Sequence, residues 1–148
     1  MERMLENLAV ASAMVALTVT LHFYGLFLLR HLLRHSYRRF QAQHSVRGGG
    51  ALLLVAVFGI FAIHTAEIWL YAVLYRALGA IPDFETALYF STVSFASLGY
   101  GDIILSRDWR LVAGIEAANG LILFAWSTAF LMSVMTRVKA LAHDWDED

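Results

Sequence analysis

The chain has 148 residues, 59% hydrophobic and only 16% charged, with a formal net charge of −1. That composition fits a single integral membrane domain, and near-neutrality gives no footing for nucleic acid. There is no cysteine, which excludes a disulfide framework and thiol chemistry.

Residues 8–29, LAVASAMVALTVTLHFYGLFLL, contain no acid, lysine or arginine. They suffice for one crossing, which takes about 20 residues. The apolar run is too long for a secretory leader, and no small-residue cleavage site follows it. Arginines do not recur at every third position, so it is not a voltage-sensing helix. It is read as a peripheral transmembrane helix. Residues 30–50 read as a basic loop with Arg30, Arg34, Arg38, Arg39 and Arg47 and no acid. Positive loops stay in the cytoplasm, which puts the N-terminus outside. Tyr37 and Phe40 beside the arginines also suit an interfacial helix on anionic lipid. Gly48–Gly50 then predict a flexible break.

Residues 51–75 form a second span, apolar except for His64, Thr65 and Glu67. Trp69, Tyr71 and Tyr75 cluster at its far end as an aromatic belt, with Arg76 marking the outer surface. Pro82 and Asp83 are helix-start signals, and Glu85 is an acid in the first turn. A helix over 84–96 would reach about 20 Å, half a membrane. It runs into Ser97-Leu98-Gly99-Tyr100-Gly101-Asp102. Residues 109–135 form the third span, with Trp109 and Arg110 outside and Arg137 and Lys139 inside. Residues 138–148 are a short, acidic cytoplasmic tail.

Glycines two apart, at Gly99 and Gly101, allow backbone angles that L-residues resist. An extended chain can then turn its carbonyl oxygens to one side and replace the water of a dehydrated cation. The run SLGYGD resembles the pore loop of potassium channels, T-V/I-G-Y-G-D. The resemblance covers residues 51–137 and is to the two-span pore module of bacterial members, with the first helix as an addition. It implies an all-α membrane fold: three transmembrane helices and a re-entrant pore helix, assembled as a homotetramer in the cell (inner) membrane. Ser97–Asp102 would be the selectivity filter, with K+ at the backbone carbonyls of Ser97, Leu98, Gly99 and Tyr100. K+ is then the permeant ion, and no cofactor is implied. Tyr89 and Phe90 map to the aromatic girdle behind the filter. Gly120 falls on the inner-helix hinge, and Asn119 beside it falls on the cavity wall. Leu121, Phe124, Thr128 and Met132 fall on the cavity wall and gate, at spacings that fit one helix face. Plain core packing also explains that stripe.

Departures from the family pattern are Ser97 for threonine and Leu98 for valine or isoleucine. Val93 stands where some members carry a glutamate that binds the filter aspartate, so Asp102 needs support from elsewhere. Two carboxylates offer themselves. His64 and Glu67 are i and i+3 within the second span, and Glu116 and Asn119 repeat the spacing in the third. Polar groups there face protein or water. Counting along antiparallel spans puts Glu67 and Glu116 at similar depth, where either could brace the filter. A hydrogen-bond network, a proton sensor and a metal site all fit these residues. His64 and Glu67 alone give two ligands, and His22 is placed nearer the inside. Ser127 with Thr128, and Gly114 with Ala118, read as packing groups.

The function expected is passive conduction of potassium, without catalysis. Alternatives are a weakly selective monovalent cation channel, an intramembrane metal-dependent protein on His64, Glu67 and Glu116, and a small structural subunit. Mixed-ion reversal potentials, bound metal and absence of flux respectively identify them.

Overall fold

The computed structural model describes residues 2–41 and 46–143. Four helices make up the fold: α1 (Glu2–Gln41), α2 (Val46–Ala77), α3 (Phe84–Phe95) and α4 (Arg110–His143). No strand occurs among the described residues. Stretches within α1, α2 and α4, Glu2–His35, Gly49–Ala77 and Arg110–Val138, are long and apolar enough to cross a membrane. Helices are the expected choice, because hydrocarbon offers no partners for backbone polar groups and a helix satisfies its own.

Each long helix buries a narrow stripe. On α1 it runs Asn7, Ala11, Met14, Thr18, His22, Leu26, Leu29, Leu33, at steps of three and four. On α4 it runs Val112, Glu116, Asn119, Leu123, Ser127. The outward faces remain apolar: Phe27, Phe58 and Phe61 are 64–70% exposed. Such a surface suits lipid. The stripes also hold Asn7, Thr18, His22, Glu116, Asn119 and Ser127, polar groups that face protein and not the apolar outer surface.

Small residues let α1 lie close on α2. A Cβ at Gly25 would come within 2.8 Å of Ile63, and one at Gly59 within 2.5 Å of Leu29. Each glycine thus receives the side chain one turn from the other, and the helix axes approach. Two apolar clusters flank this crossing. One joins Leu26, Leu29, Leu33, Leu52, Ala56 and Ile63. The other, towards the α3 end, includes Ala11, Met14, Tyr71, Tyr75, Phe90, Phe95 and Leu123. Between them lies a polar layer of His22, His64, Glu67 and Ser127.

Three expectations are corrected here. The basic segment 30–50 is largely helical: α1 continues to Gln41 and α2 starts at Val46. Residues 42–45 lie outside the described residues. Gly48–Gly50 do not break the chain but form the start of α2. Gly49 has a packing reason there, since a Cβ would come within 2.9 Å of Val138. Part of the proposed tail is also helical, as α4 runs to His143. Residues 144–148 lie outside the described residues.

Candidate functional site

The site begins with the placement of α3. Asp83 caps it, accepting from the Thr86 amide at 2.8 Å and the Thr86 hydroxyl at 2.7 Å. Those two donors hold the Asp83 carboxyl below the usual carboxylate range. At the other end the Ser97 amide donates to Ser94 O and the Leu98 amide to Val93 O, so the chain leaves the helix in a tight turn. Close packing fixes that end against α4. A Cβ on Gly120 would overlap the Phe95 carbonyl oxygen.

The SLGYGD loop follows with φ alternating in sign. Ser97, Gly99 and Gly101 have φ of 56°, 56° and 76°, and Leu98 and Tyr100 do not share the left-handed region. Alternation of hand gathers successive N–H groups on one face of a strand and leaves the C=O groups on the other. Glycine takes this conformation freely, whereas Ser97 sits there at a cost of about 1–2 kcal/mol. The Ser97 hydroxyl helps hold it by donating to Ala117 O of α4 at 3.2 Å. Asp102 closes the loop and accepts from the Tyr89 hydroxyl of α3 at 2.7 Å.

Behind the loop, Glu116 of α4 accepts from the hydroxyls of Ser91 on α3 and Tyr75 on α2. Ser91 also reaches Ile68 O of α2 at 3.0 Å. One carboxylate therefore ties the short helix to both spans around it. Glu116 and Ser91 are fully buried. Phe90 and Val93 are buried on the same helix, with Phe90 edge-on to Tyr75 at 5.2 Å.

A family model described as "Ion channel" matches residues 50–137, more than half of the chain. The chain belongs to the ion channel family. No curated protein and no solved structure matches it. Membership makes it a membrane transport protein, and its three apolar helices accord with that. The match starts at the head of α2, so α1 is an addition to the channel module.

Several residues of the channel sit elsewhere than the sequence suggested. Glu67 does not brace the loop. Its carboxylate faces His22 Nδ1 at 2.9 Å and His64 Nδ1 at 2.8 Å. Nor are Glu67 and Glu116 level. Glu116 pairs with Tyr75, two turns beyond Glu67, or about 12 Å along α2. His22 is not displaced inward: α1 is far longer than 8–29, so residue 22 lies mid-helix opposite Glu67. Asn119 is not on a cavity wall. It is buried, donating to Thr18 of α1 at 2.8 Å and to the Tyr71 hydroxyl at 3.4 Å. Gly120 lies in an uninterrupted helix and serves close contact with Phe95. Leu121 and Met132 are 62% and 58% exposed, Thr128 is exposed and Phe124 half-buried.

Sequence reasoning missed Ser91 and Thr18, placed Tyr71 and Tyr75 in an aromatic belt although both are fully buried, and set Ser127 aside as a packing or backbone hydrogen-bonding group. Ser127 Oγ in fact meets His64 Nε2 at 2.9 Å and His22 Nε2 at 3.5 Å. The one available signal was spacing: Thr18 and His22 are one turn apart on α1, as are Tyr71 and Tyr75 on α2.

Proposed function

We propose that four copies of the chain form a potassium-selective channel, with Ser97–Asp102 of each copy as its filter. A potassium ion leaves its water and is held by the carbonyls of Ser97, Leu98, Gly99 and Tyr100. The observation that carries this reading is the alternating φ at Ser97, Gly99 and Gly101, which favours carbonyls on a common face. One chain gives one such face, and a closed ring around an ion takes several copies on one axis.

Exposure supports the assembly. Within one copy, 11% of the α4 span is buried, against 28% for each of the other two. Leu98 and Tyr100, which this reading turns away from the ion, are 54% and 66% exposed in a single copy. Leu121, Phe124, Thr128 and Met132 then line the cavity and gate. The C-terminal end of α3 points its partial negative charge towards the ion's path. Filter support comes from Tyr89 on Asp102 and from Glu116 on Ser91.

The positive ends of the helices set the orientation, with the N-terminus outside and the C-terminus in the cytoplasm. At that inner end Arg30 and Arg34 of α1 and Arg137 of α4 border a cavity of about 560 Å³. An anionic lipid headgroup suits it.

Reconstitution in liposomes tests the reading. Potassium flux should exceed sodium flux, and Gly99→Ala, strained at φ 56°, should abolish selective flux while the tetramer persists. Potassium selectivity in that variant would remove the filter assignment. Equal permeation of both ions by the unaltered protein would favour a weakly selective cation channel, for which Leu98 is the feature to examine.

A further inference from the structure

The proposed conduction path makes no use of the polar layer between α1, α2 and α4, which brings two imidazoles, a carboxyl group and a hydroxyl together. His22 and Glu67 are fully buried, Ser127 is 5% exposed and His64 is 6% exposed. The four side chains close a ring. Glu67 Oε1 meets His22 Nδ1 at 2.9 Å and Glu67 Oε2 meets His64 Nδ1 at 2.8 Å. Ser127 Oγ meets the two Nε2 atoms at 2.9 and 3.5 Å.

Protons can be counted around that ring. An ionised carboxylate only accepts, so both imidazoles present Nδ1–H to Glu67. Two neutral rings then aim two Nε2 lone pairs at one hydroxyl, which has a single proton to give. In that arrangement one nitrogen would go without a donor and the carboxylate without a counter-charge inside a crossing, which a bound cation would supply. The nearest other polar groups, Tyr71, Asn119 and Thr18, are engaged with one another. Trp126, Phe95 and Phe124 pack on the two imidazoles and bring no charge.

We propose that this ring is a binding site for one divalent transition-metal ion of the zinc class, held by His22, His64 and Glu67. The ion stitches α1 to the channel module. Its ligand atoms, one from each residue, lie within 4.8 Å of one another. A tetrahedral zinc site with bonds of about 2.0–2.1 Å holds ligands about 3.4 Å apart, so a small side-chain closure suffices. Metal at the two Nδ1 atoms requires the other tautomer of each neutral ring, with its one proton moved from Nδ1 to Nε2. Ser127 Oγ has two lone pairs and accepts from both, which is the outer support that metal-bound histidines require. The serine's own proton then turns to a backbone carbonyl one turn back, as serines in helices do. Every polar atom is satisfied. Two imidazoles and one carboxylate oxygen fill three positions, and the second oxygen of Glu67 is at hand for the fourth. The nitrogen ligands disfavour calcium and magnesium.

The test reads binding, not flux, so it stands apart from the potassium reading. Full-length protein is stripped with chelator, equilibrated with micromolar Zn²⁺, and freed of excess. Elemental analysis should find one zinc per chain. His22→Gln and Glu67→Gln should each weaken binding at least tenfold, and Ser127→Ala about tenfold through loss of outer support. The surface pair His31→Gln/His35→Gln should bind as the parent does. Co²⁺ in the unaltered protein should give the visible absorption of a tetrahedral centre, which keeps the proposal open to refutation if a variant fails to fold. Folded protein that takes up no zinc, with a proton alone supplying the charge, overturns the proposal. So does zinc held equally well by Glu67→Gln.

Discussion

Asp102 shows how one acidic side chain at the end of a loop is held. The potassium-channel resemblance would place a glutamate on α3 to hold it, and Val93 stands there. The Tyr89 hydroxyl, one turn earlier on α3, donates to Asp102 instead. Tyr89→Phe keeps the ring and removes the donor. Conduction by that variant should decay faster than the parent's when potassium is lowered, measured as flux over time in liposomes. Unchanged decay would mean that Asp102 is anchored by another group. Gly120 makes a second residue-scale case. An added methyl meets backbone, the Phe95 carbonyl, which has no rotamer to escape into. Overpacking of this kind costs about 1–3 kcal/mol. Gly120→Ala should therefore lower the unfolding temperature of the assembled protein, and an unchanged temperature would show that α3 and α4 separate freely.

The elements divide into those legible in the sequence and those that are not. α3 and its loop were legible because their signals are local: Asp83 as a cap, a half-membrane length, glycines two apart. The spans were legible from apolar length alone. How the helices are offset was not, since it depends on contacts between residues far apart in the chain. Glu67 and Glu116 were therefore both offered as braces, whereas of the two it is Glu116 that meets Ser91 of α3 and Tyr75 of α2. The α1–α2 crossing was equally hidden, because a glycine in an apolar run carries no mark of its partner. Two predictions follow from the offset. Glu116→Gln and Ser91→Ala should each lower potassium flux, and the double variant should lose little more, since both remove one link. Additive losses in a double-mutant cycle would show that they act separately. Gly59→Val drives a branched side chain into Leu29 and should loosen α1 from α2. Hydrogen exchange in α1 should quicken while flux through residues 50–137 persists; flux lost in step with α1 protection would make α1 part of the pore.

At the scale of the whole molecule, charge and apolar surface point the same way. Arg30, Arg34, Arg38, Arg39, Arg47, Arg137 and Lys139 all lie at the helix ends away from the SLGYGD loop. Three of them, Arg30, Arg34 and Arg137, border a cavity that also has Leu33, Leu52 and Phe130 in its walls. A headgroup bearing phosphate would meet the guanidinium groups there, and its acyl chain would lie along the leucines and phenylalanine. Because Arg34 belongs to α1 and Arg137 to α4, one such lipid would bridge the added helix and the helix proposed to line the pore. Each arginine near an anionic surface contributes about 1 kcal/mol, or about fivefold in binding. Arg34→Ala with Arg137→Ala should thus weaken the effect of anionic lipid by about thirtyfold if the two add. The measurement is flux and thermal stability in vesicles of neutral lipid with increasing anionic fraction, for parent and double variant. A parent indifferent to anionic lipid would leave the arginines as orientation signals only. A response that survives the double variant would move the lipid to another face. A response lost with either single change alone would mean that the headgroup requires both helices at once.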